Sequence, residues 1–422
     1  MRPSILATAL FLCTPGALHA QTACPTPWQL EEVLRIGSVE SEDLVTGVLD
    51  LAIGPDSALY VAQALVPAIT VFSLDGQVLR RIGRAGQGPG DFELAATNVG
   101  WLGDTLWIAD AYRLQLFTTD EVVPEEVIRF NLTVPEEGAF LTPRRVLADG
   151  TLIGSRIWTA GWGPWLARGA DPGLALRRLS RSGEVLDTIA TIHWPDNAVE
   201  FEDGRGRRRF QIHPLRDLPS PGLGEYLTAL TPDGSAVLKI GNVREDDSPP
   251  TFDILVISIH GDTLLHRAVE YEPREVTSAM ERRLADELAG WEAGDYNPTG
   301  PGWLVLSEAT LERRRRAVRS AFRVPEHHPP VRQVVAGTDG TIWLLRELRE
   351  DRVDVWEIRD ADGRLDGTVE IGHGRGSFKP WSPRLAIVLA SRDEIWGTTY
   401  DEYDVPYIHR YRVDRTCERQ EM

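Results

Sequence analysis

Residues 48–92 read VLDLAIGPDSALYVAQALVPAITVFSLDGQVLRRIGRAGQGPGDF, and the rest of the chain repeats their pattern. Apolar residues alternate or run in short β-branched groups, and Gly, Pro, Asp or Ser separates each group from the next. The reading is four strands joined by tight connections. One such unit cannot bury both of its faces. Copies recurring at a period of about 45 residues and stacked around an axis supply the missing burial, which is the logic of a β-propeller.

The corner between a first and a second strand recurs as PDSALYVA at Asp56, LGDTLWIAD at Asp104, ADGTLIGS at Asp149, PDGSAVLKI at Asp233, TDGTIWLL at Asp339 and SRDEIWGT at Asp393. These corners predict six blades. Trp107, Trp343 and Trp396 take the place that Tyr60 holds in the first unit, as expected of large residues packing one sheet on the next. A second corner, between third and fourth strands, follows at Asp75, Asp120, Gly183, Gly261 and Gly363; the sixth unit lacks it. The missing strand stands at the other end of the chain, where WQLEEVLRIG (residues 28–37) matches GQVLRRIG of the first unit. The expected fold is all-β, a six-bladed propeller of four-stranded antiparallel blades whose last blade is closed by the N-terminal strand.

Arg2, an apolar run from Ile5 to Leu12, Pro15, Gly16 and a small-residue end at Ala20 have the layout of a secretory signal peptide over residues 1–20. That run is too short to span a bilayer, and no later stretch reaches spanning length. Residues 21–422 are then one propeller domain, expected in the periplasm or outside the cell. Cys24 lacks the Leu-type residue three positions before it that lipidation requires; Gln21 stands there. Cys13 leaves with the signal, so Cys24 and Cys417 remain, one on each side of the predicted closure. An oxidising compartment favours a disulfide between them, standing in for the absent turn, over two free thiols. The chain has 422 residues, enough for a large core, and its net charge of −18 argues against nucleic acid as a partner.

The stretches VFSLDGQVLRRIGRAGQGPGDF and LWIADAYRLQLF resemble the NHL-type repeat of bacterial six-bladed β-propeller proteins. VEIGHGRGSF in the fifth unit echoes the same Gly-rich exit, whereas the third and fourth units diverge. The resemblance implies the fold. Members act as binding scaffolds or, in some branches, as enzymes, so function has to come from the site. The Gly-rich exits are not phosphate loops, since the Gly-Lys-Ser/Thr ending is missing. Their glycines let the chain pass from an outer strand to the next inner strand.

The short corners must share one face of the disc. Every long connection falls on the opposite face: Arg156 to Gly173, His193 to Gly224, and Pro273 to Pro330. Long loops on one face of a rigid scaffold are where binding resides. The last of them predicts a helical insertion over about 273–330, between blades 4 and 5. Ser278 and Glu281 form a capping box, with Met280, Leu284, Leu288 and Trp291 following on one face. A second helix is expected from Ser307 to Phe322, with Arg313 to Arg316 around its middle turn, either as a solvated face or as an anion patch.

Three groups are candidates for ligand contact. Trp158, Trp162 and Trp165 lie among glycines and would either stack on a flat ligand or cap the central channel. Arg144, Arg145, Arg332 and Arg384 stand near the starts of inner strands, where they would bind a carboxylate or phosphate or else pair with acidic loops. Those loops (Glu245 to Asp247, Glu350 with Asp351, and Asp401, Glu402 and Asp404) would hold Ca²⁺ or remain solvated turns. No G-x-S-x-G, H-E-x-x-H or C-x-x-C occurs, and the adjacent His327 and His328 read as a polar loop. Zinc lyases of the NHL type place histidines around the axis, which this chain does not. Calcium-dependent lactonases of six-bladed form use acidic and amide groups at the inner-strand mouths, where Asp50 and Asn98 are the metal candidates. The expectation is therefore an exported, monomeric scaffold without a cofactor that binds a small-molecule or protein ligand on the face of long loops. The alternative is a calcium-dependent, lactonase-like hydrolase acting at the channel mouth, with Ca²⁺ as its cofactor.

Overall fold

In a computed structural model of the chain, the described residues are 27–37, 45–64, 66–93, 95–110, 113–118, 123–129, 133–134, 139–157, 174–192, 199–202, 208–211, 227–279, 282, 308, 309, 312, 316, 327–348, 353–372, 374 and 384–415. They form an all-β, six-bladed propeller. Strand β1 (Gln29–Ile36) comes first in sequence. Blade 1 follows with β2 (Val48–Ile53), β3 (Ala58–Gln63), β4 (Val66–Ser73) and β5 (Val78–Ile82), and blade 2 with β6 (Asn98–Leu102), β7 (Thr105–Ala109), β8 (Arg113–Thr118) and β9 (Glu126–Arg129). Blade 3 carries a short additional strand, β10 (Thr133–Val134), beside β11 (Ala139–Val146), β12 (Leu152–Ile157), β13 (Leu174–Leu179) and β14 (Val185–Ile192). A separate hairpin, β15 (Val199–Glu202) with β16 (Arg208–Gln211), lies in the connection to blade 4.

Blade 4 comprises β17 (Thr228–Leu230), β18 (Ala236–Arg244), β19 (Thr251–Ser258) and β20 (Thr263–Glu270). Blade 5 comprises β21 (Gln333–Ala336), β22 (Ile342–Leu348), β23 (Asp354–Arg359) and β24 (Leu365–Ile371). Blade 6 has only β25 (Ala386–Ala390), β26 (Glu394–Tyr400) and β27 (Pro406–Asp414) of its own. β1 supplies its fourth strand, running antiparallel to β27 from Gln29 opposite Asp414 to Ile36 opposite Ile408. All blades are antiparallel, and the first strands of successive blades, β25, β2, β6 and β11, lie side by side around the axis, as do β17, β21 and β25.

The predicted corners have a local cause. The carboxylates of Asp56, Asp149, Asp233 and Asp339 each accept the backbone N–H two residues on, which fixes the turn without help from the core. The large residue that follows packs against the next blade. Tyr60 lies in the core shared by blades 1 and 2, Trp107 between blades 2 and 3, Trp343 between 5 and 6, and Trp396 between 6 and 1. β1 is tied on both sides. Trp28 donates its backbone N–H to Thr368 O of blade 5 at 2.7 Å, and its indole covers Gly367, where a Cβ would stand 2.2 Å from the ring. Leu34 and Ile36 meanwhile join the core shared with blade 1.

The helical insertion expected over about 273–330 falls for the most part outside the described residues. No helix is delimited among the described residues. Of the region 278–316 only Ser278, Ala279, Arg282, Glu308, Ala309, Glu312 and Arg316 are described, with helical backbone at those points, and the rest lies outside the described residues. Residues 1–26 and 416–422, and with them the expected signal peptide, Cys24 and Cys417, also lie outside.

Candidate functional site

The strands place two kinds of polar cluster on the face of long connections. The first is a clamp on the Gly-rich exit of blade 1. Asp110, at the end of β7, accepts from Arg113 Nε at 2.7 Å, and both side chains are buried. Thus oriented, the Arg113 guanidinium donates to the backbone carbonyls of Gly86, Gln87, Gly88 and Asp91. Gln115 completes the grip, accepting from Gly90 N and donating to Asp91 O. Gly83 has φ of +90°, and a Cβ there would lie 2.1 Å from Phe92, so glycine is required for the chain to fold back over that ring. The side-chain nitrogens of Arg113 all donate to protein oxygens, Nε to the Asp110 carboxylate and Nη1 and Nη2 to backbone carbonyls, so this loop is a blade-to-blade joint and not an anion cradle.

The second cluster surrounds the axis. Asp50, buried on β2, faces blade 2, where its Oδ2 accepts from Val99 N at 3.2 Å and from Asn98 Nδ2 at 3.4 Å; Oδ1 accepts from Leu51 N at 3.0 Å. Arg145 of blade 3 reaches the same carboxylate, with Nη2 at 3.4 Å. Because the inner strand of blade 2 stands between β2 and β11, that contact can form only on the axis side of β6. Asn98 Oδ1 and, across the ring on β21, Gln333 Oε1 are shut off from solvent and accept no hydrogen bond. Asn98 and Gln333 each open an inner strand, so two buried amide oxygens without donors stand on β6 and β21.

The other candidate residues distribute as follows. Arg144 occupies the bulge of β11 between Pro143 and Arg145. Arg332, buried just before β21, donates its N–H to Leu345 O. Arg384 turns to the exit of blade 5, donating its backbone N–H to Asp354 Oδ2 and Nη1 to Gly374 O. Trp158, Trp162 and Trp165 lie outside the described residues. Among the described side chains of these arginines, Arg145 is the one drawn to Asp50.

Further out, Asp253 at the start of β19 accepts from Arg244, Asn242 and His266. The Arg244 guanidinium above all holds its carboxyl down to about 2. His328 sits near Arg274 and Arg332; burial first, then those two charges, press its imidazole down to about 4, so it is neutral at ordinary pH. Among the described residues no three His, Cys, Asp or Glu side chains come together as a metal cluster, and no helix is long and apolar enough to cross a membrane.

Sequence reasoning missed the Arg113 clamp and Gln333. The signal for the clamp was present, as D-x-x-R-x-Q opening a third strand after a Gly-rich exit. Nothing local marks Gln333.

No protein-family description matches the chain, and neither does any curated protein. Solved structures do. A protein of Bacteroides fragilis assigned as exported is 10% identical over 94% of this chain and 98% of its own, with a TM-score of 0.47. The PQQ-bound aldose sugar dehydrogenase of Streptomyces coelicolor is 11% identical over 93% and 100%, at 0.41. The calcium-binding protein regucalcin of Agrobacterium tumefaciens is 9% identical over 89% and 93%, at 0.37. At such identities and scores these likenesses decide nothing about activity.

Proposed function

We propose that the chain is an exported, monomeric propeller scaffold that binds a small-molecule or protein ligand on the face of its long connections. One observation carries the reading. The described corners of the opposite face are tight turns closed by their own hydrogen bonds, whereas Asp50, Asn98 and Gln333 stand on inner strands away from those corners, and Arg145, one residue from the end of β11, reaches Asp50. There Arg145 remains partly exposed, at 38% of its side chain, and two amide oxygens lack donors. A ligand offering a carboxylate to the exposed part of Arg145 suits that mouth. The three tryptophans of residues 158–165 add stacking surface under this reading.

The test is a titration of the purified mature chain with sugars, organic acids and short peptides, by thermal shift and then calorimetry. Binding weakened in Arg145→Ala or Trp162→Ala, and unchanged in Arg178→Ala on the face of short turns, supports the proposal. Binding that depends on Arg178 alone overturns it. Export is tested by N-terminal sequencing of the secreted protein, with Gln21 expected first.

The lactonase-like reading is favoured by the unpaired Asn98 oxygen alone. Both oxygens of Asp50 already accept N–H groups, leaving that carboxylate poorly placed to hold Ca²⁺, which takes six to eight oxygens. Calcium analysis of the purified chain separates the two readings, one tightly held ion per chain favouring the hydrolase.

A further inference from the structure

The seam between blades 3 and 4 differs from the others. Around the axis β17, β21, β25, β2, β6 and β11 follow one another side by side, but among the described residues the two ends of that series, β11 and β17, are not packed in the same way. The two blades are joined at the end of the short turns. There Ala148 donates its backbone N–H to Gly234 O at 3.0 Å, and Leu147, Ile153 and Ile189 of blade 3 share a core with Val237 of blade 4. Lys239 follows Val237 two residues along β18, so its side chain leaves the same face of the sheet one step nearer the long connections. Its Nζ crosses the seam and donates to Thr191 O of β14 at 2.6 Å.

An ammonium has three donors, and the fold uses one of them. No carboxylate pairs with Lys239 among the described residues, and burial alone presses its pKa down, with no opposing charge. The carboxylate next along that face, Asp253, stands opposite Gly241 and is taken by Arg244, Asn242 and His266. Gly241 brings no side chain over the amine. A Cβ there would lie 3.6 Å from Lys239 Cε and 3.8 Å from Leu255 Cδ1, in ordinary contact. The walls beside the amine are aliphatic, with Leu255 opposite it on β19 and Leu176 on blade 3, both half-buried. A cation half withdrawn from water, given no counter-charge and set beside an uncovered apolar wall, suits an anion that carries a hydrocarbon body. We propose that the seam between blades 3 and 4 binds a monocarboxylic acid of apolar body, its carboxylate on Lys239 Nζ and its hydrocarbon part against Leu176 and Leu255. This site is separate from Arg145 and does not rest on the reading given above.

The experiment uses the full mature chain, with sodium octanoate as the probe. Lys239 and Lys379 are the chain's two lysines, so labelling lysine with carbon-13 at Cε gives two side-chain signals by NMR. Octanoate should move one of them saturably, the one missing from Lys239→Met. Calorimetry should show binding weakened about ten-fold or more in Lys239→Met, and less in Lys239→Arg, which keeps the charge. Acetate, which lacks the body, and inorganic phosphate should both bind far more weakly than octanoate. Arg145→Ala should bind octanoate normally, which separates this site from the mouth at the axis. Lys239→Met removes a cation without a counter-charge, so its thermal midpoint should stay or rise. Should that variant fail to fold, Lys379→Arg leaves the Lys239 signal alone in the spectrum and carries the test. No saturable octanoate binding, binding unchanged in Lys239→Met, movement of the Lys379 signal alone, or phosphate bound as tightly as octanoate overturns the proposal.

Discussion

Asp50 and Arg145 belong to inner strands with a whole blade between them, yet Arg145 Nη2 lies 3.4 Å from the Asp50 carboxylate. The two ends of this contact have unequal worth. Asp50 is buried and accepts the buried N–H of Val99, so Asp50→Ala strands a backbone donor and should cost about 1–3 kcal/mol. Arg145 is more than one-third exposed, so Arg145→Ala should cost no more than about 1 kcal/mol. Urea denaturation of both single variants measures the difference. Equal losses would mean that the ion pair, and not the bond to Val99, is what Asp50 contributes.

Closure of the ring should be sensitive to one indole. Trp28, 6% exposed, packs across Gly367, and Trp28→Ala should destabilise the fold by about 3–5 kcal/mol. Gly367→Ala drives a methyl group into the same ring and should also destabilise. In the double variant the collision is gone, so the two losses should not add. Additive losses in denaturant titrations would show that the two residues act separately.

Because Gln29 pairs with Asp414, the segments bearing Cys24 and Cys417 leave the last blade from the same end. Under the proposed export, the mature chain is expected to carry a Cys24 to Cys417 disulfide. By the loop-entropy model such a long loop is worth up to about 5 kcal/mol. Intact mass before and after reduction, with thiol titration, checks the bond; two titratable thiols in the unreduced protein would refute it.

Acid should loosen blade 4. The Asp253 carboxyl is held at about 2, below its ordinary 3.8, chiefly by Arg244. A depressed carboxyl contributes stability above its unfolded value, and that contribution is lost as pH falls from about 4 towards 2. Asp253→Asn should flatten the stability curve in this window, by on the order of 2 kcal/mol, and leave its shape above pH 5 unchanged. Stability followed by fluorescence between pH 2 and 7 reads this directly.

The fold was legible because its punctuation is local. Asp56, Asp149, Asp233 and Asp339 make their own turns, and β1 announces itself by repeating the β5 sequence. The hairpin of β15 and β16 escaped notice, since VEFE and RRFQ are too charged to read as strands by apolar alternation. The site was legible only in part. Asp50 and Asn98 were marked by type and position, but the link of Asp50 to Arg145 spans 95 residues and follows from blade order alone. Gln333 and the surroundings of Lys239 depend on burial, which a sequence does not display.

The strand that completes blade 6 is the first of all the strands to be synthesised, and its partner β27 is the last. Throughout translation β1 is an edge without a neighbour, the kind of edge that recruits stray chains. It bears Glu31, Glu32 and Arg35 among its apolar residues, charges that discourage premature pairing until the C-terminus emerges. Once β27 arrives, Glu32 meets His409 Nδ1 at 2.8 Å and Tyr411 Oη at 3.3 Å, and Glu31 meets Arg412. The same acidic residues that keep the waiting strand solitary thus become the marks by which it recognises its mate.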